Sequence, residues 1–200
     1  MHICCITINI YYLCDVILTI RTMSKRNNFV FTVLQIVAWI IFVGLCIEAG
    51  ALLVNFVYSL VKPEVVQHLY EKLDLSEMYE YNQWMYFGIY SFILVISILK
   101  AYLFYMVIRL LLKFDLLKPF NSYVATQVTQ ISYFTLSIGL ISYVAREVTR
   151  SLQHHGVGID KLSEYWTDSQ AWILMAAVVY VIATIISRGV EIQNENDLTV

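Results

Sequence analysis

The sequence predicts an all-α integral membrane protein: a bundle of four transmembrane helices with a short amphipathic helix in an outer loop. Three observations carry this. Of 200 residues, 60% are hydrophobic and 14% charged, roughly half the charged share of a soluble domain. One ordinary core could not bury that much apolar surface. Four apolar stretches are each long enough to cross about 30 Å of hydrocarbon, which takes about twenty residues. Only two prolines and seven glycines interrupt the chain. Helices are the spanning form that fits, because backbone groups cannot go unpaired in hydrocarbon and no barrel-like alternation is present. Fifteen tyrosines and four tryptophans suit aromatic belts at two interfaces. A net charge of −2, with no basic stripe, argues against direct nucleic-acid binding.

Residues 1–22 stand apart. The apolar run 3–20 is broken by Asn9 and Asp15, has no basic residue ahead of it and lacks a small-x-small cleavage site, so it is a poor signal peptide. An extra membrane helix, a surface-lying segment and translation from a wrong start codon all compete. Met23-Ser24-Lys25-Arg26 reads as a natural beginning, and we expect the chain to start there. Cys4, Cys5, Cys14 and Cys46 form no disulfide framework and no Cys-x-x-Cys pair.

The first span covers about 29–57, with Glu48 between Gly44 and Gly50, two glycines that leave room for close helix contact but lack the Gly-x-x-x-Gly spacing. The connection that follows has Pro63 in a first turn, then Val65, Val66, Leu69, Tyr70 and Leu73 at helical spacing, the pattern of a surface-lying amphipathic helix. Asp74 and Glu77 suggest a capping box for a second short helix. The second span covers about 84–112, with Lys100 inside. A tight turn, Lys118-Pro119-Phe120-Asn121, leads to the third span at about 124–145, with Asn121 or Ser122 as cap. This span is the most polar, so its hydroxyls and amides, Gln127 and Gln130 included, are expected to find partners among the other helices. Its helix should continue past Arg146 and Arg150 towards Gly156, and a short helix is expected over 160–165. The fourth span covers about 171–186 and should continue as helix through Gln193. Lys25, Arg26, Arg109, Lys113, Lys118 and Arg188 fall on one side and Lys62, Lys72, Arg146, Arg150 and Lys161 on the other, a slight bias; the first hairpin is clearer, because its loop adds Glu64, Glu71, Asp74, Glu77 and Glu80, and both termini are expected in the cytoplasm.

Glu48 and Lys100 are the sharpest chemical features, because a charge near the bilayer centre normally faces protein or water and has a partner. With the spans drawn as above, their depths differ by roughly 12 Å at 1.5 Å per residue. A direct salt bridge is therefore not expected. Lys100 is expected to snorkel towards the cytoplasmic headgroups, and Glu48 either to meet Arg146 at the outer end of the third helix or to keep its own proton. Glu48 reads as a packing group that fixes one helix against another, or as a proton- or ligand-responsive carboxyl. Signatures of an enzyme, a metal site or a bound cofactor are absent from the sequence: no His-Glu-x-x-His, no Gly-x-Ser-x-Gly elbow, no phosphate-cradling glycine loop. His154 and His155 are adjacent and diverge on a helix.

The C-terminal run from Arg188 to Gln193, followed by Asn194-Glu195-Asn196-Asp197-Leu198-Thr199-Val200, closely resembles the end of a bacterial family of four-helix membrane proteins of unknown function. Members end in a Glu-Asn-Asp-Leu-Thr-Val-like hexapeptide. Lys118-Pro119-Phe120-Asn121 and the run Gly44-Leu45-Cys46-Ile47-Glu48-Ala49-Gly50 are also similar to that family, over residues 25–200. Genes of the family often sit beside a small helix-turn-helix regulator, so the resemblance implies a bacterial inner-membrane protein with a cytoplasmic regulatory partner. It supplies no catalytic residue. The tail itself carries acidic Glu191, Glu195 and Asp197 beside Leu198, a segment suited to docking on a basic partner. The expectation is a sensor or regulatory membrane protein without enzymatic activity. The alternative is a small transporter, channel or peptide-immunity factor working through a polar bundle core.

Overall fold

The computed structural model describes residues 28–61, 82–114, 121–153, 166 and 168–197, without the side chains of residues 28–30, 61, 153, 196 and 197. Among the described residues there are four helices and no strand: α1 (Asn28–Val61), α2 (Gln83–Lys113), α3 (Ser122–Gln153) and α4 (Ser169–Asp197). They contain 34, 31, 32 and 29 residues, so even the shortest is about 44 Å long. All four are long and apolar enough to span a membrane. The outer-loop helix expected over 62–81, the short helix over 160–165 and residues 1–22 lie outside the described residues.

Exposure shows which solvent the bundle is built for. Ile40 and Ile47 of α1 are each 67% exposed, and Leu174 and Ile185 of α4 are 68% and 62% exposed. They belong to continuous apolar faces that a soluble monomer would not leave open to water and that hydrocarbon covers without cost.

Local chemistry sets the helix starts. Asn82 is extended, its side-chain oxygen accepts the Trp84 N–H at 2.9 Å, and its carbonyl accepts the first helical N–H, from Tyr86. Asn121 does the same for α3: its Oδ1 accepts the Tyr123 N–H at 3.0 Å, and its carbonyl the Ala125 N–H. Asn121 rather than Ser122 is therefore the cap. At α4, the Trp166 carbonyl accepts from Ser169 and the Asp168 carbonyl from Trp172.

The helices pack in chain order, α1 on α2, α2 on α3, and α3 most extensively on α4. The inner pair, α2 and α3, is the better buried, and α1 and α4 are the lipid-facing edges. Aromatic pairs hold α1 and α2 in antiparallel register from end to end: Phe31 on Phe114, Phe42 beside Tyr105 and Phe56 on Tyr90. The buried Tyr90 hydroxyl donates to the Leu52 carbonyl at 2.9 Å. Tyr102 against Phe134, and the Lys113 ammonium over the Tyr123 ring, set the register of α2 on α3.

On α3 the residues Val124, Val128, Ile131, Thr135, Ile138, Ser142, Ala145, Thr149 and Leu152 are all buried. Their spacing alternates between four and three, the seam of a knobs-into-holes helix contact. On α4 the buried Ser169, Ala176 and Ala183 recur every seventh residue. These small side chains let the two backbones approach. The approach is closest at Gly139, where an added Cβ would stand 2.7 Å from Ile173 Cγ1 and 3.0 Å from the Ile173 nitrogen. At Gly44 and Gly50 an added Cβ would meet nothing within 4 Å. The close contact for which the glycines around Glu48 leave room is therefore not made. Those two glycines are exposed, and the glycine that lets backbones meet is on α3.

Candidate functional site: an intramembrane level joining three helices

The contact at Gly139 also fixes where α4 begins. Trp172 lies three residues into α4, whereas Gly139 lies 14 residues before the end of α3. α4 therefore starts roughly 16 Å inside the end of α3, at 1.5 Å per residue. Its first turn brings Trp172 to the level of Lys100 on α2, with the exposed Asp168 just ahead of it.

The Lys100 ammonium stands 5.8 Å from the centre of the Trp172 ring, within the range of a cation–π contact. The carboxylates of Glu48 on α1 and Asp168 at the head of α4 both attract it. Lys100 was expected to turn towards the Lys113 end of α2; its ammonium instead reaches towards the opening turn of α4. The depth argument failed at one boundary. α1 runs to Val61 rather than ending near residue 57, so Glu48 sits 13 residues below its end, against 17 for Lys100 below the start of α2. The difference is four residues, about 6 Å, half the separation expected from the sequence. Arg146 is not the group at this level. The register places Glu48 opposite Ser97 and Gly139, and Arg146 lies seven residues further along α3.

The polar residues of α3 behave differently from what their number suggests. Their hydroxyls turn back on their own helix: Thr126 donates to the Ser122 carbonyl, Thr129 to Ala125, Thr135 to Ile131 and Thr149 to Ala145, at 2.7–2.9 Å. Gln127 donates through Nε2 to Gln130 Oε1 at 3.3 Å along the same helix. The expected hydrogen bonds to other helices are replaced by this back-bonding, which satisfies a hydroxyl in hydrocarbon without a partner helix. The residues on the buried face serve close packing.

The opposite face collects the remaining candidates. Asn121 is spent on capping α3. Lys118, Pro119, Phe120 and Leu198 lie outside the described residues. Glu195 is exposed on α4, and Asn196 and Asp197 close its last turn. Arg188 and Glu191 form an exposed ion pair at 2.7 Å, one turn apart.

Sequence reasoning missed Asp168, Trp172 and Gly139 as members of the central level. Trp166-Thr167-Asp168-Ser169 ahead of an apolar run is a helix-start pattern that marks Asp168, but only tertiary packing reveals its depth. It also missed Gln35 and Trp39, one turn apart on α1, whose Nε2 and Nε1 donors are buried without an acceptor among the described residues. No group of His, Cys, Asp and Glu among the described residues could hold a metal ion. No family model, curated protein or solved structure matches the chain.

Proposed function

We propose that this chain is a multi-pass protein of the bacterial inner membrane that acts through protein contacts, as the sensor or regulatory partner of a cytoplasmic protein such as a helix-turn-helix regulator. It performs no catalysis in this reading, and it belongs with the four-helix family that its C-terminal hexapeptide resembles. Both termini face the cytoplasm, in keeping with Arg109, Lys113 and Arg188 at that end of the bundle.

The observation that carries the reading is the continuity of α4. One unbroken helix runs from Ser169, level with the middle of the bundle, to Asp197. It extends 11 residues past Ile186, about 16 Å. Along that extension Glu191 and Glu195 are exposed and Ile192 is 59% exposed. A tilt or shift set at the Lys100 level is thereby delivered, by a rigid rod, to an acidic surface with an apolar residue on it.

The test is deletion of residues 195–200. The reading predicts normal insertion, a normal melting temperature in detergent and loss of co-purification with the cytoplasmic partner encoded by a neighbouring gene. Retained co-purification and regulation would refute it. The transporter or channel reading is favoured by the charged level of Glu48, Lys100 and Asp168. The self-satisfied hydroxyls of α3 weigh against it, because a polar pathway needs groups free to meet a solute. Sensitivity to Glu48→Gln and Lys100→Met with indifference to tail deletion would select that second reading.

A further inference from the structure

The last turns of α2 carry two cations, Arg109 and Lys113, one turn apart and both exposed. Phe31 on Phe114 and Phe42 beside Tyr105 fix the register of α1 on α2. Arg109 therefore stands level with Val37 and Lys113 with Val33, apolar residues that are 45% and 42% exposed. Arg109 lies four residues inside the end of α2, about 6 Å, where hydrocarbon gives way to headgroups. A cation at that depth needs an anion or water to meet it. Among the described residues neither cation forms an ion pair. Each stands over a ring instead: the Arg109 guanidinium carbon is 5.9 Å from the centre of Tyr105, and the Lys113 ammonium 4.8 Å from that of Tyr123.

We propose that Arg109 and Lys113 hold the phosphate of one anionic membrane phospholipid, whose acyl chains lie along the aromatic stripe running inward from them. Tyr105 and Tyr102 form that stripe on α2, 37% and 45% exposed, one and two turns below Arg109. Aromatic rings flank it on both sides: Tyr105 meets Phe42 of α1, and Tyr102 meets Phe134 of α3. Basic side chains between membrane helices receive anionic headgroups, and the guanidinium fork matches two phosphate oxygens at once. Two more donors on α1 near this level, Gln35 Nε2 and Trp39 Nε1, are buried without an acceptor among the described residues. The level as a whole has a surplus of donors.

Charge decides the occupant. A second copy of the protein would have to bring a carboxylate to this depth. The described acidic side chains at the same end, Glu191 and Glu195, lie at least five residues beyond Ile186, which shares a cluster with Leu110 and Phe114. They stand about 8 Å too far out, and Glu191 is already paired with Arg188 at 2.7 Å. A zwitterionic lipid would bring its own ammonium against two cations, and like charges oppose such a contact. An anionic phospholipid supplies the missing charge at headgroup depth, joined to chains that cover the tyrosine stripe. The site is independent of the regulatory reading and of which side of the membrane this end faces.

The experiment uses the full chain in a mild detergent, titrated with phosphatidylglycerol or phosphatidylethanolamine and read by native mass spectrometry. Phosphatidylglycerol should be retained several-fold more than phosphatidylethanolamine at equal concentration, and millimolar inorganic phosphate should not displace it. Arg109→Gln combined with Lys113→Gln should bring retention down to the phosphatidylethanolamine level. Arg109→Lys, which keeps the charge, should preserve most of it, and Arg188→Gln, whose cation is already paired with Glu191, should leave it unchanged. Equal retention of the two lipids by the native chain would overturn the proposal, and that result needs no variant to fold. So would undiminished retention in a folded double variant, or an equal loss in Arg188→Gln. Displacement by inorganic phosphate would overturn it by assigning the cations to a soluble anion. Lipid-free dimers of the native chain that the double variant abolishes would overturn it by assigning the face to a second copy.

Discussion

Replacing Gly139 by alanine tests the packing of α3 on α4 with a single carbon atom. The new Cβ would lie 2.7 Å from Ile173 Cγ1, 3.0 Å from the Ile173 nitrogen and 3.3 Å from the Trp172 carbonyl carbon. Comfortable carbon contacts are about 3.5–4.0 Å, and two of these neighbours are backbone, so relief requires α4 to move by a few tenths of an ångström or more. Overpacking of this kind costs about 1–3 kcal/mol. Helix propensity works the other way, favouring alanine by about 0.5–1 kcal/mol. The net expectation is a loss of about 0.5–2 kcal/mol, which in a chain of this size lowers Tm by about 1–8 °C. Thermal unfolding in one detergent, followed by circular dichroism, measures it. Gly44→Ala and Gly50→Ala are the controls: nothing lies within 4 Å of either added carbon, so propensity alone acts and Tm should hold or rise. The reasoning is refuted if Gly139→Ala is as stable as the native chain, or if the Gly44 and Gly50 variants are the ones that suffer.

Three further outcomes follow from the same contacts. Glu48→Gln and Lys100→Met, singly and together, should show a coupling of about 0.5–2 kcal/mol in detergent unfolding, as interacting polar groups within membrane helices do; additive effects would mean that the two do not interact. Tyr90→Phe removes only the hydroxyl that donates to the Leu52 carbonyl, and should cost about 1 kcal/mol without changing helix content. Asn121→Ala should cost about 1 kcal/mol through loss of the α3 cap, and Asn121→Ser should restore most of it; equal loss in both would point to a role other than capping.

The architecture was legible because it rests on composition and run length. Helices that must pair every backbone group in hydrocarbon announce themselves as long apolar runs, and the cap at Asn121 is chemistry local to two residues. The central level was not legible, because it depends on relative depth. An error of four residues at the end of α1 moved Glu48 away from Lys100, and nothing in the sequence states that α4 begins inside the bundle beside α3. Gly139 was invisible for a related reason: it stands between Ile138 and Leu140 with no second glycine at the familiar spacing, and its partner is the backbone at Trp172 and Ile173. The polarity of α3 misled in the opposite direction, since its hydroxyls are satisfied by the preceding turn of the same helix rather than by neighbours.

The account depends on hydrocarbon covering the exposed faces of α1 and α4, and size-exclusion chromatography with light scattering, with and without detergent, tests this most directly. The account predicts a monodisperse species of defined mass in detergent that aggregates when the detergent is removed. A monodisperse, fully helical protein in plain buffer would contradict it.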